Sequence, residues 1–142
     1  MATRLYSVNS IYLGSVQKGI QTIHAYNELL RSIDDMSDSQ VAKLDAWSTT
    51  DNTVIMLDDR NILTKTTVSM LGAFLDKIDV PHGYFEEPSL NDTITSFCFI
   101  IDDERRLNYN GTDPLFAFHE SSSMHNMELL MIEIFTRLRL SV

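Results

Sequence analysis

Gln17, Lys18, Gln21, His24 and Glu28 lie within one short stretch, GSVQKGIQTIHAYNELL at 14–30, and carry side chains suited to binding or proton transfer. Gln17, Gln21, His24 and Glu28 recur at intervals of four, three and four, which places them on one face of a helix with Lys18 beside it. A lysine next to the first-turn amides and positive end of a helix suits a phosphate or carboxylate. A solvated polar face produces the same spacing. A second group, Glu86, Glu87, Ser89, Asn91 and Asp92 in EEPSLND, offers paired carboxylates for acid–base work if burial or repulsion moves their pKa values. An acidic turn in water has the same composition. A third, Arg105 and Arg106 with Asn108 and Tyr109, offers guanidinium forks that match phosphate oxygens.

Other chemistries find less support. His24, His82, His119 and His125 are scattered, Cys98 is alone in the apolar run TSFCFII, and no close-spaced ligand pair appears, so no metal site is expected. No phosphate-cradling glycine loop and no nucleophile elbow is present, and no cofactor is expected. Eleven basic against twenty acidic residues give a net charge of -9, which repels a long phosphate backbone but leaves room for a small anion in a local pocket. The sequence opens with no charged-then-apolar leader and contains no apolar run near the ~20 residues of a membrane helix. The expectation is a cytoplasmic protein that does not enter a membrane, and a lone cysteine suits a reducing compartment.

The elements that must hold these residues follow from hydrophobic period. Residues 5–13, LYSVNSIYL, read as a strand ended by Gly14 and Ser15. Val16, Ile20, Ile23, Leu30 and Ile33 then recur at helical spacing and mark the expected inner face of a helix capped by Ser15. After a loop at 34–39, QVAKLDAW reads as a short helix, and TVIML at 53–57 as a strand covered on both faces. Leu63, Thr67, Met70, Leu71, Phe74 and Ile78 trace the inner stripe of a second long helix that ends before Pro81. A short strand at 82–86, a polar loop from Pro88 to Asp92 and a strong strand from Thr93 to Ile101 follow. The final helix begins near SSS, with Met124, Met127, Met131, Ile134, Phe135 and Leu138 on one face and Arg137 and Arg139 near its carboxyl end. At 142 residues the default is one layered α/β domain with at least one parallel strand pair, comprising a core at 1–101 and a connector and helix at 102–142.

The stretch QKGIQTIHA on a first helix, Trp47 before TVIML, a second long helix and GYFEEPSLNDTITSFCFI, in this order, resemble the type-2 peptidyl-tRNA hydrolase family over residues 5–101. The resemblance implies a small mixed four-stranded sheet with helices on both faces, followed here by an extra helix. It also implies an ester-cleaving site built from a lysine at the start of the first helix with an aspartate and a threonine from the turn before the last strand. Aligning Gln21, His24 and Ala25 with the family puts Gln17 at the lysine position, Gly83 near the aspartate and Glu87 near the threonine. One residue is ~100° of helix, so Lys18 is expected to point away from the family's site.

The reading that follows is a non-catalytic or weakly catalytic protein that binds a small nucleotide-like or phosphate-bearing ligand. Its contacts would be Gln17, Lys18, Gln21, His24, Glu87, Asn91, Arg105 and Arg106. A viral accessory protein that sequesters a nucleotide signal is one setting for it. The alternatives are a peptidyl-tRNA hydrolase using Lys18 with Glu87 or Asp92, for which tRNA is the partner, and a homodimeric interaction module joined by its Met-lined last helix or a sheet edge.

Overall fold

The structure, a computed structural model, describes residues 2–107, 122–138 and 140. It is an α/β fold with four strands, β1 (Thr3–Asn9), β2 (Val54–Asp58), β3 (His82–Glu87) and β4 (Thr93–Asp102). The strands form one open mixed sheet in the order β2-β1-β4-β3. β1 and β2 are parallel, as strands joined by helical crossovers require, while β4 runs antiparallel to both β1 and β3. Among the described residues five α-helices accompany the sheet: α1 (Ser15–Arg31), α2 (Asp38–Ala46), α3 (Lys65–Lys77), α4 (Asp103–Leu107) and α5 (Ser122–Arg137). No helix among the described residues is long and apolar enough to cross a membrane.

Alternation along β1 and β4 sorts the core into two clusters. Tyr6, Val8, Phe97, Phe99 and Ile101 meet Val68, Leu71, Phe74 and Leu75 of α3 and Met127, Met131 and Ile134 of α5. Leu5, Cys98 and Ile100 meet Ala25 and Leu29 of α1 and Leu44 of α2 on the other face. Each large side chain buried this fully contributes about 1.5–3 kcal/mol. The methionine face of α5 is thus spent inside the chain, since Met131 and Met127 are core residues and Phe135 stacks edge-on against Tyr6 at 4.9 Å. The side chains of Met124 and Arg137, and Arg139 altogether, lie outside the described residues.

Several expectations are corrected. β1 ends at Asn9, four residues before the predicted strand end. β2 lies at the sheet edge and is only partly covered, with Leu57 buried and Val54 exposed. In α3 the buried stripe is Val68, Leu71, Gly72, Phe74 and Leu75, and Met70 faces out. Ser15 does not cap α1: the N-cap is Gly14, with no side-chain cap. A capping box appears instead at α2, where Ser37 accepts from the Gln40 amide and the Gln40 side chain accepts from the Ser37 amide.

The largest correction concerns α1. The predicted inner residues Val16, Ile20, Ile23 and Ile33 are exposed, Leu30 is half-buried, and the residues packed on the sheet are Lys18, Gln21, Thr22, Ala25 and Leu29. The helix is real, but its apolar stripe faces away from the sheet. The reason lies in the strands beneath, which present Ser7, Asn9, Thr95 and Ser96 to the first half of α1 and leave no apolar surface there for Val16 or Ile20 to cover.

Candidate functional site

The α1 side of the sheet grades from apolar to polar along β1. Leu5 and Ile100 pack under Leu29, whereas two residues further on a buried hydroxyl cluster begins. Ser7 Oγ lies 3.1 Å from Ser96 Oγ and 2.8 Å from Thr22 Oγ1, and accepts from Asn9 Nδ2 at 3.1 Å. The Thr22 hydroxyl donates to the carbonyl of Lys18 at 2.8 Å. With one proton per hydroxyl, the bonds run in sequence from Ser96 through Ser7 and Thr22 to the first turn of α1. Buried hydroxyls satisfied in this way cost little, whereas any one left alone costs about 1–3 kcal/mol.

At the end of this ladder, Lys18 Nζ donates to Asp58 Oδ1 at 2.7 Å, with the lysine side chain 9% exposed and the aspartate 18%. Asp58 closes β2, directly beside Asn9 at the end of β1. The pair therefore stands at the carboxyl ends of two parallel strands and at the start of α1, a common ligand position in α/β sheets. The neighbouring Thr95 donates to Gln21 Oε1 at 2.6 Å. It reaches α1 because β4 bulges: Phe85 pairs with Ser96 and Glu86 with Ile94, so Thr95 is the extra residue. The bulge turns Thr95 and Ser96 toward the same helix.

Lys18 is thus turned into the fold, its amine held against Asp58. Gln17, which occupies the family's lysine position in the alignment, is exposed. A cleft of about 250 Å³ lined by Ile11, Asp58, Asp59 and Arg60 opens beside the pair. Asp59 binds the chain locally, accepting from the Ile62 amide at 2.7 Å, while its own amide donates to the Asn9 carbonyl at 2.8 Å. Burial raises its pKa, opposed by the amides of Ile62, Leu63, Arg60 and Asn61. A carboxyl whose folded pKa is raised favours folding below its unfolded pKa and loses that contribution as pH rises through the folded one. Asp59→Asn is therefore expected to match the parent in urea midpoint at pH 3 and exceed it at pH 7, provided that the amide oxygen keeps the Ile62 bond. A midpoint difference independent of pH would contradict this.

The other predicted residues are dispersed. His24 stacks on Phe85 with ring centroids 4.5 Å apart, and Glu28 pairs with Arg31 at 3.1 Å, so this flank of α1 faces β3. There Glu28, Ser32, His82, Gly83, Tyr84, Phe85 and Glu86 line a larger hollow of about 440 Å³. Its charged groups are already matched, Glu86 with Lys65 at 3.6 Å and His82 with Asp76 at 2.8 Å, and it lies away from the carboxyl ends of β1 and β2 and from the start of α1. The smaller cleft is the stronger candidate for that reason.

Glu87 accepts from Ser89 Oγ at 2.6 Å, and Asn91 and Asp92 are exposed with left-handed backbones (φ 53° and 58°), as in a solvated turn. Arg105 and Arg106 lie on α4, after the end of β4 that pairs with Thr3, at the opposite end of β1 from Asn9. Arg106 faces Asp103 there at 3.7 Å. These two arginines cannot share a small ligand with Lys18. Asn108, Tyr109 and His119 lie outside the described residues, as does the side chain of His125. Among the described residues no three His, Cys, Asp or Glu side chains are grouped to hold a metal.

Reasoning from the sequence missed Asp58, Asp59, Thr95 and Asn9. The only signal for the first two was an acidic pair directly after an apolar strand, and Thr95 carried none, since its role depends on the bulge. No protein-family model matches the chain, and no curated protein matches it in sequence. The assignment of the cleft therefore rests on its own geometry.

Proposed function

We propose that the protein binds a small phosphate-bearing, nucleotide-like ligand in the cleft beside Lys18, on a type-2 peptidyl-tRNA hydrolase-like arrangement of strands and helices. The observation that carries the reading is the pair of buried Lys18 and half-buried Asp58 at the carboxyl ends of β1 and β2, beside the start of α1. That start carries no acidic residue in its first turn, and its positive end favours an anion. Asp58 and Asp59 suit hydroxyl groups, as on a ribose, and exposed Arg60 supplies a second cation at the rim.

A panel of mono-, di- and cyclic nucleotides in a thermal-shift assay tests this. A ligand at 100-fold excess over its Kd stabilises by about 2.7 kcal/mol, and Arg60→Ala is expected to weaken the effect without altering the unliganded transition. No stabilisation by any nucleotide at high excess would overturn the reading.

The second reading is hydrolysis of the ester of peptidyl-tRNA. It is favoured by one observation, the inward orientation of Lys18 against a carboxylate. Lys18 would polarise the ester carbonyl and Asp58 or Asp59 would take a proton from water. Peptide release from peptidyl-tRNA, abolished in Lys18→Ala, is the result expected of a hydrolase.

A further inference from the structure

β3 is an open rim of the sheet: among the described residues its only strand neighbour is β4. The Ile100 amide donates to the Pro81 carbonyl at 3.0 Å, directly before the paired positions His82 and Phe99, so Pro81 and Ile100 form a hydrogen-bonded pair of the antiparallel ladder. Such pairs alternate with unbonded ones. Gly83 therefore bonds to β4, while His82 and Tyr84 turn their N–H and C=O groups outward. We propose that this edge takes up an extended segment of another protein, rich in lysine or arginine, as an added strand.

Backbone groups repeated at strand spacing are matched in register by another extended backbone, and by neither a helix nor a small molecule. The hollow of about 440 Å³ along residues 82–86 gives such a segment room between β3 and the flank of α1. A smaller hollow of about 110 Å³ shares Ser32 and His82 with it and carries it on to Asp35 and Met36. Natural edges are commonly guarded by lysine, proline or a bulge in the edge strand itself. β3 has no lysine or proline from His82 to Glu87, and the extra residue of its bulged pairing, Thr95, belongs to β4.

Charge selects among extended segments. Glu28, Asp35, Asp76 and Glu86 line the two hollows, and no described lysine or arginine lines either. Arg31 and Lys65 pair with Glu28 and Glu86 but are 76% and 71% exposed, and ion pairs this exposed hold their partners weakly. Side chains of an added strand alternate between the two faces of the sheet, and each face offers a carboxylate, Glu28 from α1 and Asp76 from α3. A second copy of the chain is disfavoured by the same groups, since two β3 edges would set Glu86 and Glu87 against their like in bodies of net charge -9.

The proposal is independent of the ligand assigned to the cleft. The probe is a labelled peptide of alternating lysine and threonine, with alternating glutamate and threonine as its counterpart. Fluorescence anisotropy with the full chain is expected to show binding of the basic peptide and none of the acidic one. Hydrogen exchange at the His82 and Tyr84 amides is expected to slow by about tenfold or more on binding, with little change at Gly83, which is already bonded to β4. Tyr84→Pro removes an outward N–H without removing a bond to β4, and is expected to abolish the binding that Tyr84→Ala retains. Glu28→Lys with Glu86→Lys is expected to weaken it by about tenfold or more with unchanged circular dichroism. No binding of the basic peptide at millimolar concentration, equal binding of both peptides, protection that falls elsewhere than on β3, or self-association of the parent through this edge would overturn the proposal.

Discussion

Gly83→Ala is expected to be the most damaging single substitution in the chain. A Cβ at Gly83 would lie 2.5 Å from the Leu29 amide nitrogen, 2.7 Å from the Ala25 carbonyl oxygen and 2.8 Å from the Leu29 Cα. All three are backbone atoms of α1, so no side chain can rotate out of the way. Either the helix lifts from β3 or the strand moves, and both loosen the cluster of Leu5, Ala25, Leu29, Cys98 and Ile100. The expected loss is at or above the upper end of the about 1–3 kcal/mol typical of overpacking. Gly14→Ala, where nothing lies within 4 Å, is the control and should stay within about 1 kcal/mol of the parent. Urea denaturation of both variants checks the contrast, and a Gly83→Ala midpoint equal to the parent's would mean that α1 does not lie this close to β3.

Lys18→Met is expected to have the second largest effect, and to act on stability and binding together. Removing one partner of a fully buried ion pair costs about 3–5 kcal/mol. Asp58 keeps part of its surface in water, so a loss of about 2–3 kcal/mol is expected here. Asp58→Asn should cost less, because an amide oxygen can still accept from Lys18 Nζ. The double variant should be less damaged than the sum of the two, with a coupling of about 1–3 kcal/mol in a double-mutant cycle. Ligand-induced stabilisation should nevertheless stay absent from the double variant. If it returned with the stability, Lys18 would be a support for the fold and not a contact for the ligand.

The aspect of this protein most open to reading from sequence was its order of elements. Partial alternation at β1, the apolar runs at β2 and β4 and the 3.6-residue periods of α1, α3 and α5 each express a local backbone preference, and local preferences survive without knowledge of neighbours. A parallel pair was implied as soon as strands alternated with helices, and β1 and β2 form it. Exposure was not legible: TVIML reads as a strand covered on both faces, yet β2 leaves Val54 exposed and lies at the rim, where an isolated antiparallel bridge joins Leu57 to Leu140.

The candidate site was legible only in part, for a related reason. The grouping of Gln17, Lys18, Gln21, His24 and Glu28 on one helix was sound, but periodicity states which residues share a face and not which face meets the sheet. That choice was made by Ser7, Asn9, Thr95 and Ser96, which accept polar neighbours from α1 and exclude Val16 and Ile20. Two further decisions depend on residues distant in sequence. Asp58 is forty residues from Lys18 and becomes its partner only through the parallel register of β2 on β1. Thr95 reaches Gln21 only because one extra residue in β4 re-aims it. By itself, then, the sequence determined strands, helices and their order, because those follow from short-range backbone and side-chain preferences. Tertiary structure decided that Lys18 lies inside and the apolar stripe outside, because the orientation of a helix is set by the surface it lands on.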